Sequence, residues 1–251
     1  MNTVRHILER ILRRPIAHPA RELLAAALAA IALSGCVPNE ALRSSSPLPE
    51  RVNPSVVLLI KPDVQLSVMT ASGLEEPNAE WTAAGQANVE RALGQLMRER
   101  NASLIPYVEP QGDPDKLGRH NQLMKMHQAV GSTILVHKYN QALALPTKTE
   151  RFDWTLGPGA RQLRQESGAD YALFVYLRDS YASAGRVAVV FVGALFGAAI
   201  PGGIQVGFAS LVDLRNGEVV WFNRLVSGTG DLRTPEPARQ AVDSLLTDLP
   251  L

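Results

Sequence analysis

Short apolar runs, separated by stretches with helical spacing, set the order of elements along the chain. Ser55-Val56-Val57-Leu58-Leu59-Ile60 is apolar and β-branched and is stopped by Lys61-Pro62, which predicts a buried strand. After a polar connection, residues 80–100 place Trp81, Val89, Leu93, Leu96 and Met97 on one inward stripe, with Asn78 as N-cap. Ser103 to Val108 predicts a second strand, which Pro106 assigns to an edge or a bulge. Asp113-Pro114 opens a second helix that runs to about Leu143, with Leu117, Met124, Val130 and Ile134 on one side; Pro146 closes it. Trp154 to Gly168 predicts a third helix with Leu163 inward and a C-terminal glycine. Ala169 to Leu177 is the strongest strand and the expected centre of the sheet. Two further strands, 204–214 and 218–226, flank Asn216-Gly217, a dipeptide suited to a two-residue type I′ hairpin turn. The last helix begins at Thr234-Pro235, with Ala238, Ala241, Val242, Leu245 and Leu246 at helical spacing. This order predicts an α/β domain, residues 55–251, whose mixed sheet is parallel in its first half, antiparallel in the hairpin and flanked by helices.

One stretch does not declare its environment. Val187 to Ile200 is fourteen residues without a charge, ending in Pro201-Gly202-Gly203. As a helix it would span roughly 21 Å, short of a bilayer core. As a strand it lacks the polar face that a barrel lumen requires. Three environments stay open: a helix buried in the domain, a surface helix that meets a partner protomer or dips into lipid, or a strand. The residues that would make such a contact are Val190, Gly193, Leu195, Phe196 and Gly197; the two glycines have the small-xxx-small spacing that lets helices approach closely. A contiguous apolar patch of that size, if exposed, marks an interaction site.

The amino-terminal pattern changes the picture more than any other. Arg5, Arg10, Arg13, Arg14 and Arg21 precede an apolar run from Leu23 to Leu33, which closes on small residues and on Cys36, the single cysteine. A basic start, a short apolar centre and small residues describe a secretory signal over residues 1–35, whose apolar run of eleven residues is too short to span a bilayer. The competing readings are a core thiol in an N-terminal helix and, from Arg13-Arg14, twin-arginine export; Pro15 and the late apolar run weigh against the latter. Residues 37–54 turn to Pro, Ser, Asn and Glu, which predicts a flexible tether able to hold the domain off a membrane surface.

Five of the 25 basic and two of the 24 acidic residues precede Cys36, so the remainder carries a net charge near −2. That balance gives no electrostatic case for a nucleic-acid partner. With Cys36 used at the amino terminus, no cysteine is left for a disulfide, a thiolate nucleophile or a zinc-cysteine site. His120 and His127 lie seven residues apart, about 10.5 Å along a helix, too far to share one metal ion, and satisfied or solvent-facing histidines are expected there and at His137. Arg178-Asp179-Ser180-Tyr181 sits where open α/β sheets place ligands. Asp179 and Ser180 with a distant histidine could be drawn as a triad, but no Gly-x-Ser-x-Gly elbow is present. Their expected role is local: bonds to backbone amides at a turn, with Arg178 or Arg186 as ion partner. Ser227-Gly228-Thr229-Gly230-Asp231 lacks the residues of a P-loop and reads as a loop, and Trp221 and Phe222 should face opposite sides of the sheet.

Leu33-Ser34-Gly35-Cys36 resembles the lipobox of bacterial lipoproteins. The resemblance implies cleavage before Cys36, diacylation of its sulfur and acylation of the new amino group with a fatty acid such as palmitate. Val37 stands where Asp would signal inner-membrane retention, which implies the outer membrane. The stretches Asn53–Ile60, the helix around Trp81, Gly168–Val175 and Leu211–Trp221 are together similar to a family of proteobacterial outer-membrane lipoproteins. In element order they also resemble the periplasmic domain of the curli-export and Pel-export lipoproteins and the amino-terminal domain of the Tol system's propeller protein. These resemblances imply an accessory or scaffold of envelope assembly or export, often oligomeric. The curli channel's pore is not carried over, because Val187–Ile200 does not alternate. The expected protein is therefore a lipid-anchored, periplasm-facing, non-catalytic scaffold with no metal or cofactor. Its partners would be the membrane, through the anchor, and further copies or an envelope protein. The alternatives are a small-molecule binding module beside Asp179 and, behind it, a hydrolase.

Overall fold

The computed structural model describes residues 41–44, 56–100, 103–228 and 230–250; the signal segment, Leu33–Cys36 and most of the expected tether lie outside them. The longest strand, β6 (Tyr171–Ala182), organises the sheet. On one side it pairs antiparallel with β7 (Gln205–Asp213), β7 with β8 (Val219–Ser227), and β8 with β1 (Leu42–Arg43). On the other side two shorter strands follow one another along it. β2 (Val56–Leu59) lies parallel to Tyr171–Leu173, and β3 (Asp63–Met69) lies parallel to Tyr176–Ala182. β5 (Ser103–Pro106) flanks β2 in parallel, and β4 (Glu75–Pro77) flanks β3 antiparallel. The eight strands form one mixed sheet.

Lys61-Pro62 therefore interrupts this line of strands without ending it. Val57 pairs with Tyr171 and Asp63 with Tyr176, so the β2–β3 side carries one more residue than β6 between these pairs. Proline has no N–H to donate to a ladder bonded on both sides, and the extra residue lets the chain step around it. The alternation of buried Val64 and Leu66 with half-buried Asp63 and Gln65 then continues the sheet, and Ser67 and Met69 are buried on the opposite face further along.

Among the described residues five α-helices complete the domain: α1 (Ala79–Glu99), α2 (Pro114–Lys138), α3 (Ala160–Ser167), α4 (Ala184–Leu195) and α5 (Pro235–Leu245). Asn78 caps α1 by accepting from the Trp81 amide at 2.9 Å, and Asp113 caps α2 ahead of Pro114. Gly168 ends α3 in the left-handed region at φ 70°. α1 and α5 cover one face of the sheet, where Val89, Leu93, Met97, Val242 and Leu245 pack on Leu173, Val175, Leu177 and Trp221. α2 and α3 cover the other, where Leu123, Ile134 and Leu163 pack on Phe174, Phe208, Val212 and Phe222. Trp221 and Phe222 are each fully buried, one in either layer. Burying a large apolar side chain contributes about 1.5–3 kcal/mol, so these two layers hold the fold.

Three local expectations are corrected. The hairpin does not use a two-residue turn. Leu214 to Gly217 form a four-residue loop in which Gly217 has φ 78° and Asn216 stays out of the left-handed region. The Gly217 amide donates to Asp213 O at 2.8 Å, and the Asp213 carboxylate accepts from the Arg215 amide at 2.8 Å, which favours the longer loop. α3 starts at Ala160 rather than Trp154, because Gly157-Pro158-Gly159 breaks the helical pattern and Thr155 instead bridges to Glu218. Finally, Leu42–Arg43, within the stretch expected to be a free tether, pairs with Phe222 and Trp221. The Ser44 amide donates to Val220 O at 3.0 Å, and Arg43 donates to Asp248 O at 3.0 Å.

Candidate functional site

Arg178 to Tyr181 lie inside β6, not in a turn beyond it, so consecutive side chains point to opposite faces. Asp179 is buried on the α1/α5 side, where Gln205 Nε2 donates to its Oδ2 at 2.9 Å, the Leu232 amide at 3.2 Å, and the Tyr181 hydroxyl also donates to it. Burial raises the Asp179 carboxyl above its ordinary value, an effect these three donors oppose. Burial and the Asp179 carboxylate likewise push the Tyr181 phenol up. Beside them, the Arg233 guanidinium stacks over Tyr181 at 3.8 Å and Trp81 at 4.6 Å and pairs with Asp231 at 2.8 Å. Ser180 faces the other way and its hydroxyl accepts from the Ile204 amide at 3.1 Å. Arg178 pairs with Asp63 at 2.9 Å. The expected ion partners are thus replaced by neutral donors, and Asp179 and Ser180 do not meet. The cluster pins residues 231–233 to β6 and to the start of α1; no sequence pattern links Arg233 to Trp81 and Tyr181 in advance.

The histidines hold equally local positions. His127 is buried against Phe174, hydrogen-bonded to Ser210 at 2.7 Å, and burial lowers its pKa to about 3. His120 stacks on Tyr107, and His137 Nδ1 meets Leu143 O at 2.6 Å. Among the described residues no three His, Cys, Asp or Glu side chains converge on a metal position.

The unassigned apolar stretch forms α4 and the turn after it. Ser183 caps the helix by accepting from the Arg186 amide at 3.2 Å. Phe196, Gly197 and Ala198 close it: the Ala198 amide donates to Gly193 O at 2.9 Å and the Gly197 amide to Ala194 O at 3.1 Å, with Gly197 at φ 76°. This is the Schellman arrangement, which the left-handed glycine makes possible. Gly197 lies beyond the helix, so it does not form a small-residue groove with Gly193. At Gly193 a Cβ would stand 2.5 Å from Ile200 Cδ1, so this glycine makes room for the returning chain. Arg186 Nε donates to Pro201 O at 3.0 Å and Val190 is half-buried, which places the inner face of α4 against its own connection. The outer face meets solvent: Phe191 is 64 % exposed, Leu195 69 % and Phe196 84 %, with Val187, Val189 and Val192 beside them. No residue of α4 is buried.

A water-facing helical surface is ordinarily polar, and a contiguous exposed apolar patch marks contact with something else. No described helix is long and apolar enough to cross a membrane. The molecule is thus defined by its fold, a mixed sheet between two helical layers, and by one exposed apolar helix at a sheet end. No protein-family model matches the sequence, and no curated protein does. Among solved structures it is similar to the PelC dodecamer from Paraburkholderia phytofirmans, at 10 % identity and TM-score 0.34 over 82 % of this chain and 96 % of that one. Lipoprotein GNA1162 from Neisseria meningitidis is similar at 16 % identity and TM-score 0.29, over 69 % of this chain and 81 % of that one. The LpoB C-terminal domain from Salmonella enterica is similar at 16 % identity and TM-score 0.27, over 70 % and 85 %.

Proposed function

We propose that this protein is a lipid-anchored component of the bacterial envelope, in which the α/β domain works by contact rather than by catalysis. The anchor is Cys36, processed after Leu33-Ser34-Gly35, and Val37 directs it to the outer membrane, facing the periplasm. The observation that carries the contact role is the outer face of α4, where apolar side chains meet solvent without an intervening charge. The runner-up sites, beside Asp179 and around His127, hold polar groups already engaged with Gln205, Leu232, Tyr181 and Ser210. Such a protein serves envelope assembly or export as a scaffold or accessory. Labelling cells with radioactive palmitate tests the anchor. The wild-type protein should take up label and sediment with outer-membrane vesicles, and Cys36→Ala should lose both. An unlabelled wild type, or a Cys36→Ala variant that still sediments, would contradict the proposal.

A further inference from the structure

The docking of β1 shortens the link between anchor and domain. Leu42 is fixed opposite Phe222, so only four residues separate Cys36 from Ala41, which packs on the core. The five steps from Cys36 to Ala41 span at most about 17 Å when fully extended. An acyl chain on Cys36 would therefore hold this domain close against its membrane.

The direction of β1 selects the end of the domain that faces the lipid. β1 is antiparallel to β8, with Leu42 opposite Phe222 and Arg43 opposite Trp221. Going back from Leu42 toward Cys36, the strand heads toward Ser227. Ser227 pairs with Gln205, the first residue of β7, and α4 occupies the connection from the end of β6 to β7. The level of Ser227 is four residues beyond Asn223, about 13 Å at 3.3 Å per residue, which is within reach of the linker. The sheet end that carries α4 is thus the end toward which β1 points when followed back from Leu42.

We infer that the outer face of α4 lies in the membrane interface, with Phe191, Val192, Leu195 and Phe196 among the upper acyl chains. The inference rests on the lipid-anchor reading and names the occupant of the contact surface. Twelve residues make a helix about 18 Å long, suited to lying in the interface and too short to cross it. The exposed face carries no charge or amide to form the polar rim of a protein interface. The added apolar contact would also fix the orientation of the domain, which an acyl anchor alone leaves free.

The test uses the full chain, processed in cells and reconstituted into vesicles of phosphatidylethanolamine and phosphatidylglycerol. Leu195→Cys on α4 and Gln165→Cys on α3, at the other end of the sheet, are each labelled with a polarity-sensitive thiol dye. Spin-labelled lipid then serves as quencher. One dye per chain is expected, because Cys36 sulfur is acylated; the dye at 195 should shift to the blue and lose most of its emission to the quencher, while that at 165 keeps its emission. A dye at 195 that resists the lipid quencher overturns the inference. If it is nevertheless blue-shifted, the occupant is a second copy or another protein. Two dyes per chain would instead show a free Cys36 thiol and remove the anchor reading itself.

Discussion

α2 and α4 invert the usual relation between hydropathy and burial. α2 carries histidines, lysines and glutamines, yet it buries Leu123, His127, Gly131 and Ile134 against the sheet. α4 carries one charged residue, Arg186, and buries nothing. The connectivity explains the difference. α2 lies over a face of the sheet, where Phe174, Phe208 and Phe222 await cover. α4 joins β6 to its antiparallel neighbour β7, a connection that needs no passage across a face, and both faces are already covered. An apolar helix in that position has no internal surface to bury against. Its outer face is free of any duty in the fold, which makes it available for contact.

The largest effect is expected in the core under α2. Phe208 is fully buried, stacks on Tyr176 and Phe222 and meets the His127 ring at a tilt of 53°. Phe208→Ala should cost about 3–5 kcal/mol in denaturant unfolding, the range for a truncated core aromatic. The next effect comes from acid. His127 is held neutral, with its pKa lowered to about 3, whereas the unfolded histidine gains a proton below about 6.5. The unfolded state therefore binds more protons as pH falls, and stability should drop from pH 6.5 downward, by roughly 2 kcal/mol at pH 5 at about 1.4 kcal/mol per unit. His127→Gln should remove that slope; an unchanged slope would show that His127 is not the titrating group. A smaller effect of opposite sign belongs to Asp179. Its raised pKa means that ionisation works against the fold, so this contribution is lost as pH rises past the ordinary carboxylate range. The melting temperature of Asp179→Asn relative to wild type should accordingly rise between pH 3 and pH 7.

Much of the architecture was legible from local pattern. The β6 core, the α1 and α5 stripes, the Asn78 and Asp113 caps and the edge position of Pro106 all follow from residues within one element. What local pattern could not show depended on distant partners. β3 alternates only over Asp63–Leu66, and Pro62 reads as a stop, because the extra residue that steps around it is visible only against β6. Leu42–Arg43 has no strand signal of its own and becomes a strand by pairing with β8. The buried carboxylate at Asp179 depends on Gln205 and Leu232, far along the chain, and its donors could not be read from its neighbours. For α4 the sequence left three environments open, since an apolar run states a preference for burial and says nothing of where cover is available. The glycine spacing in that run is likewise explained by the helix end and by Ile200.

The most direct test of the central claim, that the outer face of α4 is dispensable for folding and is used for contact, is the unfolding free energy of the double variant Phe191→Asp, Leu195→Asp in the full chain. Each exposed position away from packing changes stability by about 0.5 kcal/mol or less, so the two together should cost about 1 kcal/mol or less. A loss of about 3 kcal/mol or more would show that this face is part of the core, and would contradict the account.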